Sequence, residues 1–250
     1  MPLPMPQPIS SDDESPLPPP PAAAEDGETP SEIHQTHQLP SIGAAIVLRQ
    51  IPSQGIPFQV WPAATALVAL LDRHRLHPNP LLPFPPAPTR ILELGSGTGL
   101  VAIAAAALFG AKVTATDLPA ALPNLQFNVD ANAAAVAARG GAVEVAALRW
   151  GERRHVEEIM GPGRAYEVVL GSDLVYDPRV YDPLLETLKL LVVEKGAAVI
   201  MAHCRRWKKK ESVFFRKARK FFHLEVLHNR NQIEIDTGKN RIAVYTFSPK

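Results

Sequence analysis

The stretch ELGSGTGL (93–100) restricts this chain more than any other. It ends RILEL (90–94), an apolar run of strand length, and leads into GLVAIAAAALFG (99–110), which has the length of a buried helix. Gly95, Gly97 and Gly99 between a strand and a helix allow a tight turn and let a ligand come close to the backbone at a helix N-terminus. The G-x-G-x-G spacing is one residue shorter than the dinucleotide pattern. No Gly-Lys-Ser/Thr follows, which disfavours nucleoside triphosphates. Asp117 closes the next strand, KVTATD (112–117), 22 residues after Gly95. A carboxylate there accepts hydrogen bonds from vicinal ribose hydroxyls. Together these features suit an adenosine-type ligand that lacks a pyrophosphate.

The alternation continues. LPNLQFNVDANAAAVA (122–137) has helical spacing, AVEVAAL (142–148) and EVVLGSD (167–173) read as strands, and PLLETLKLLV (183–192) is a helix before the strand AAVIMAH (197–203). Strands alternating with helices predict a parallel sheet with helices on both faces. The end differs. The helix ESVFFRKARKFF (211–222) is followed by two strands, HLEVLHNRNQIEI (223–235) and RIAVYTF (241–247), joined by DTGKN, which predicts an antiparallel hairpin at the sheet edge. Upstream, AAIVLRQI (44–51) and IPFQVW (56–61) read as extended pieces. AATALVALLDRHRL (63–76) is a helix with Pro62 in its first turn. HPNPLLPFPPAP (77–88) holds six prolines and predicts a surface loop.

Composition divides the chain. Residues 1–40 hold 11 of the 26 prolines and seven acids with no Lys or Arg. Such a segment buries too little apolar surface to offset its ordering entropy, so a disordered tail is expected over 1–40 and one folded domain over 41–250. PLPPPP (16–21) has the form of a polyproline ligand. Residues 41–250 carry 26 basic against 18 acidic groups, a moderately basic surface that fits an acidic partner. Cys204 is the only cysteine, which fits a reducing compartment and rules out a disulfide within the chain or a cysteine-rich zinc site. The eight histidines show no metal-ligand spacing, so no metal is expected. There is neither an apolar run of membrane-spanning length nor a secretory leader pattern. The expectation is a monomeric cytoplasmic or nuclear protein that does not bind membranes.

Further stretches narrow the family: VWPAA (60–64), TDLP (116–119), LRWG (148–151) and GSDLVY (171–176). With the glycine loop, and in this order, the chain resembles the seven-stranded S-adenosylmethionine methyltransferases. Among these it is similar to the methyltransferase-like protein-lysine methyltransferases that act on chaperones, AAA ATPases and elongation factors. The resemblance covers about residues 42–248, with Glu93 as the family's acidic lead residue. It implies a Rossmann-like methyltransferase fold of α/β class, parallel except for the C-terminal hairpin. It implies S-adenosyl-L-methionine as cofactor and a protein bearing the target lysine as partner. It places Trp61 near the methionine end, Gly95, Ser96, Gly97 and Gly99 along the methionine part, Asp117 on the ribose, Trp150 beside the adenine and Ser172 against the cofactor. Asp173 and Tyr176 satisfy the family's D/E-x-x-F/Y hallmark and become the candidate catalytic pair.

The chemistry supports that pairing. Transfer from a sulfonium needs an amine lone pair in line with the breaking bond. A lysine amine, with reference pKa ~10.4, costs roughly 4–5 kcal/mol to deprotonate at neutral pH. Asp173 can accept a hydrogen bond from the amine and hold it in line, a positional role. Tyr176 offers a ring face for the lysine stem or its cation. Enzymes that methylate planar amines on this fold carry N/D/S-P-P-F/Y/W at the same strand end. Here Leu174 and Val175 stand where the prolines would be, which favours an alkyl amine. The basic stretch RRWKKKESVFFRKARK (205–220) reads either as a docking surface or as a solvated amphipathic helix; no RNA-reading motif accompanies it, so nucleic acid is not the expected partner. The alternatives at this level are a small-molecule or nucleic-acid acceptor, and a non-catalytic adaptor that binds the cofactor.

Overall fold

The computed structural model describes residues 31–85, 90–161, 165–206, 208–227 and 241–250. The chain enters through an antiparallel pair, β1 (Ile33–Leu39) and β2 (Ala44–Gln50). A 3-10 turn, Pro40–Ile42, and left-handed Gly43 (φ 59°) join the two strands. Two more 3-10 turns, Pro52–Gln54 and Ile56–Phe58, lead to α1 (Pro62–Leu76). There follow β3 (Arg90–Leu94), α2 (Leu100–Phe109), β4 (Lys112–Asp117), α3 (Leu122–Ala137), β5 (Ala142–Ala147), α4 (Arg153–Met160) and β6 (Val168–Ser172). The rest comprises α5 (Tyr181–Lys189), β7 (Ala198–Arg205), α6 (Lys208–Ala218), β8 (Phe222–Val226) and β9 (Arg241–Pro249).

Seven strands form one sheet in the order β5-β4-β3-β6-β7-β9-β8. The pairs among β3 to β7 are parallel, and β9 lies antiparallel between β7 and β8. From β3 the chain winds outward through β4 and β5, then returns to place β6 on the other side of β3. The carboxyl ends of β3 and β6 therefore flank the point where the winding reverses, the place where such sheets open a crevice. Apolar residues cover both faces. One core gathers α1, α2, α3 and β2, and the other gathers α4, α5 and α6. Both contain fully buried strand residues, such as Ile91 in the first and Leu92 in the second, as expected when a strand is covered on two sides. Among the described residues no helix is long and apolar enough to cross a membrane.

Several details depart from the sequence expectations. Residues 33–39, grouped there with the tail, form β1; residues 1–30 lie outside the description. IHQTHQL is mostly polar, and what makes it a strand is its pairing with β2. Of the piece 56–61, Ile56–Phe58 is not extended, because Gly55 (φ 109°) and Pro57 close a 3-10 turn in which Phe58 N–H donates to the Gly55 carbonyl (3.1 Å), whereas Gln59 and Trp61 are extended. α4 has no counterpart among the elements expected from the sequence, although Val156, Ile159 and Met160 show helical spacing. Phe222 opens β8 instead of ending α6. The link DTGKN lies outside the described residues.

The β1–β2 pair docks through asparagines spaced four apart on one face of α3. Asn132 accepts from Val47 N–H (3.0 Å) and donates to the Val47 carbonyl (2.8 Å). Asn128 does the same at Arg49 (2.8 and 3.1 Å) and also donates to the Thr98 carbonyl in the glycine loop (2.9 Å). Asn124 accepts from the Arg49 side chain (2.9 Å). The amides stand in for a neighbouring strand along the free edge of β2. Gln50, at the end of β2, then accepts from Val60 N–H (2.6 Å), which ties the docked pair to the segment before α1. Asn128→Ala would leave the Arg49 N–H and the Thr98 carbonyl unpaired, and only the longer bond from Asn124 (3.4 Å) would remain on the Arg49 carbonyl. The expected cost is roughly 2–4 kcal/mol in urea unfolding, with faster amide exchange at Val47 and Arg49.

Candidate functional site

A cleft opens where the winding reverses. It is lined by Gln59, Val60, Trp61 and Ala64 from one side, by Glu93, Gly95, Ser96, Gly97, Thr98, Leu100 and Val101 from the loop and α2, and by Ser172 from β6. Five of the residues expected around the cofactor, Trp61, Gly95, Ser96, Gly97 and Ser172, thus share one cavity. Of the other lining residues, Gln59 lies outside every motif quoted from the sequence, while Val60 and Ala64 belong to VWPAA (60–64) but had no cofactor role assigned.

Local chemistry shapes the loop. Gly95, Gly97 and Gly99 all have positive φ (61°, 53° and 88°), which other residues adopt only at a cost. Ser96 exchanges bonds with Thr116: Ser96 N–H donates to the Thr116 carbonyl (2.9 Å) and the Ser96 hydroxyl accepts from Thr116 N–H (3.0 Å). Asp117 accepts from Gly97 N–H (2.8 Å) and from Leu118 N–H (2.7 Å). Burial pushes the Asp117 carboxyl up and these two bonds oppose it. Each of its oxygens keeps a second lone pair, so Asp117 can hold the loop and still receive ribose hydroxyls. Gly99 caps α2 instead of lining the cleft; its N–H donates to the Ser96 carbonyl (2.7 Å).

Trp150 packs against Gly95. A Cβ on Gly95 would lie 3.1 Å from its indole ring and 2.9 Å from Leu174. Leu174 also fills the space beside Gly171, where a Cβ would meet it at 2.5 Å. Leu174 therefore wedges the end of β6 under the glycine loop, a packing role beyond not being a proline. Trp61 sits at the cleft, but its indole N–H donates to the Ile56 carbonyl (3.0 Å) instead of pointing free toward a carboxylate. Its ring is what it presents.

Glu93 is 1% exposed and accepts from Ala102 N–H (3.0 Å). Burial pushes its pKa up to about 8 against the bonds from Ser96 and Ala102, with the Asp117 charge adding to the rise. The folded protein holds this proton well above pH 4.5, where the unfolded chain releases it. The stabilising contribution is therefore full below about pH 4.5 and is lost as pH rises through about 8. Glu93→Gln imitates the protonated form and is expected to flatten this dependence. Across that window wild-type stability should fall relative to the variant by up to roughly 1.4 kcal/mol per pH unit in urea titrations. Parallel pH profiles for the two proteins would contradict it.

Asp173 and Tyr176 lie past the end of β6 in different surroundings. Asp173 has φ 55°, the one positive value at a non-glycine among the described residues, and is 8% exposed. Its N–H donates to the Ala202 carbonyl (2.9 Å), and its carboxylate accepts from Cys204 N–H (2.8 Å) and from the Arg206 guanidinium (2.9 Å). His203 Nδ1 lies 3.7 Å from the same carboxylate, and its Nε2 lies 3.3 Å from Glu211. Burial holds the His203 imidazole below its usual range. Tyr176 is half-buried; burial first, then the charges of Asp117 and Asp177, push its phenol up. Asp177 is held by Arg179 (2.9 Å). Arg206, Cys204, His203 and Glu211 were not singled out from sequence as site residues, since nothing local marks a strand-end cluster whose partners lie some thirty residues apart.

Comparisons with known proteins agree with this architecture. A family model described as lysine methyltransferase matches residues 43–221. EEF1A lysine methyltransferase 3 of Mus musculus is 34% identical over 187 residues, covering 75% of this chain and 73% of that protein. Protein N-lysine methyltransferase METTL21A of Danio rerio is 34% identical over 181 residues, covering 72% of this chain and 75% of its own length. Among solved structures, the rRNA methyltransferase aviRa of Streptomyces viridochromogenes superposes with a TM-score of 0.50 at 16% identity, covering 76% of this chain and 86% of that one; this likeness concerns the fold. With its switch-point cleft, its glycine loop and these relatives, the chain belongs to the lysine methyltransferase family, enzymes that use S-adenosylmethionine to methylate protein lysines.

Proposed function

We propose that this enzyme methylates a lysine on a folded cytoplasmic protein of the elongation-factor or chaperone type, acting as a monomer, with Asp173 and Tyr176 on the acceptor side of the cleft. The observation that carries the reading is the placement of Asp173. A nearly buried carboxylate sits past the end of β6, directly after cleft-lining Ser172, and already accepts a cation. A base amine or a carboxamide brings no positive charge to such a place; an alkylammonium does.

When bound, S-adenosylmethionine supplies a methyl group activated on a sulfonium. The chain's own residues do the rest. The backbone at Gly95 and Gly97 with Asp117 would orient the cofactor, and Asp173 accepts a hydrogen bond from the amine and sets its direction. Tyr176 offers its ring beside the lysine stem, and its raised phenol stays neutral at physiological pH. The single, buried Cys204 supports a reducing cytoplasmic setting, with a nuclear pool equally compatible. Because the mouse relative is an EEF1A lysine methyltransferase, elongation factor 1A is the first substrate to try. The test is incubation of the enzyme and radiolabelled cofactor with purified elongation factor 1A and with a lysate. Label should survive ribonuclease, disappear with protease, and map by mass spectrometry to lysine. Label carried by RNA alone would overturn the proposal.

A further inference from the structure

Arg206 sits where a substrate cation belongs. Its guanidinium donates to Asp173 Oδ2 (2.9 Å), and its guanidinium carbon lies 5.3 Å from the centre of the Trp61 ring. Trp61 lines the cofactor cleft, and Asp173 follows cleft-lining Ser172. A carboxylate on one side and an indole face on the other is the pair of walls a lysine cation would use. The main chain presents the side chain there: Arg206 N–H donates to Glu211 Oε1 (2.8 Å), which ties the residue after β7 to α6. The rest of the acidic group is held separately, since the other Asp173 oxygen takes Cys204 N–H (2.8 Å) and His203 stands between Asp173 and Glu211. The Arg206 side chain is about a quarter exposed, so one side of it meets solvent.

Resting on the lysine reading above, we infer that Arg206 is a built-in stand-in for the target lysine: it fills the acceptor subsite between Asp173 and Trp61, and a substrate lysine must displace it to react. Arginine suits this task. Its guanidinium remains protonated and has no free lone pair, so it can lie beside the methyl donor without being modified. A lysine in the same place can lose a proton to water, after which Asp173 accepts a hydrogen bond from the neutral amine and holds it in line. Its nitrogen pair forms the new N–C bond, while the C–S pair stays on sulfur and a neutral thioether leaves. The stand-in keeps Asp173 paired between turnovers, which avoids a buried lone charge. It also raises the threshold for substrates, so only a partner that docks well elsewhere delivers its lysine.

Two variants and one probe test this. Arg206→Lys places an amine in the subsite, and with radiolabelled cofactor it is expected to methylate itself at residue 206, located by peptide mass spectrometry. Wild type and Arg206→Met should stay unlabelled there. Arg206→Met removes the cation while keeping the length. It is expected to lower the half-saturating concentration of elongation factor 1A by about 3–10-fold with kcat little changed. The probe is n-butylammonium, titrated without cofactor and followed through the Trp61 indole N–H resonance. It should bind Arg206→Met at least about 5-fold more tightly than wild type. The inference is overturned if Arg206→Lys carries no label at 206 while binding cofactor normally. It is equally overturned if Arg206→Met loses turnover about 10-fold or more, since the guanidinium would then be positioning Asp173 for catalysis. Wild type that labels no protein would instead count against the lysine reading, and self-methylation and n-butylammonium binding would still decide the role of Arg206.

Discussion

Asp173→Asn is expected to keep its fold and lose about 100-fold or more of its methyl-transfer rate. Asparagine is one of the few residues that tolerates the left-handed conformation at φ 55°, and its side-chain oxygen can still accept from Cys204 N–H. What it lacks is the charge. Its amide nitrogen would face the Arg206 guanidinium, a donor against a donor, at a stability cost of about 1–2 kcal/mol. An incoming amine would likewise find no anion to hold it in line. Asp173→Ala goes further, because it also strains the backbone and leaves Cys204 N–H unpaired, for a total near 3 kcal/mol. The measurement is single-turnover labelling of elongation factor 1A at saturating cofactor, beside urea unfolding of each variant. A rate for Asp173→Asn within about threefold of wild type would remove the carboxylate from the mechanism. Asp173→Asn and Arg206→Met break the same ion pair, yet one is expected to slow turnover and the other to ease substrate entry. A merely structural pair would move both the same way.

Gly97→Val is expected to weaken cofactor binding by about 30-fold or more. Gly97 lines the cleft with φ 53°, where a β-branched residue is a steric outlier. A Cβ there would come within 3.2 Å of the Pro57 carbonyl oxygen, a backbone atom with little room to yield. Pushing the Ile56–Phe58 turn away would carry with it the Ile56 carbonyl that holds the Trp61 indole. It would also disturb the bond from Gly97 N–H to Asp117. One substitution therefore reaches the cofactor cleft from both walls. Gly140→Val is the control. It has a similarly left-handed φ of 77°, but nothing lies within 4 Å of its Cβ. It should lose about 1–2 kcal/mol of stability and bind cofactor as wild type does, by calorimetric titration. Equal affinity loss in both variants would show that backbone strain, not the blocked cleft, is responsible.

Much of the cofactor side was legible because its signals are local. Gly95, Gly97 and Gly99 occur where left-handed backbone is required, and Asp117 ends the adjacent strand, so spacing along the chain already places them together. The proposed acceptor side was legible as residue types but not as partners. Asp173 and Tyr176 stood out in GSDLVY, yet no spacing says that Asp173 turns toward Cys204 and Arg206, or that Trp61 gives its N–H to Ile56. The asparagines at 124, 128 and 132 share a helix face by arithmetic alone. What they bind, the edge of a strand some eighty residues earlier, is a fact of packing.

The class of fold, the glycine turn at the end of β3, the carboxylate at the end of β4 and the seam of apolar strands that makes a sheet covered on both faces are all written in the order of residues along the chain. Hydrophobic period and backbone permissiveness act over a few residues and leave their mark in the order of the letters. That residues 33–39 become a strand, that Glu93 keeps its proton to about pH 8, and that Arg206 lies between Asp173 and Trp61 all come from folding. Each of these depends on the burial of a group, or on the approach of two groups, from segments far apart in the chain. Desolvation and pairing are set by the neighbours that arrive on folding and not by those along the backbone.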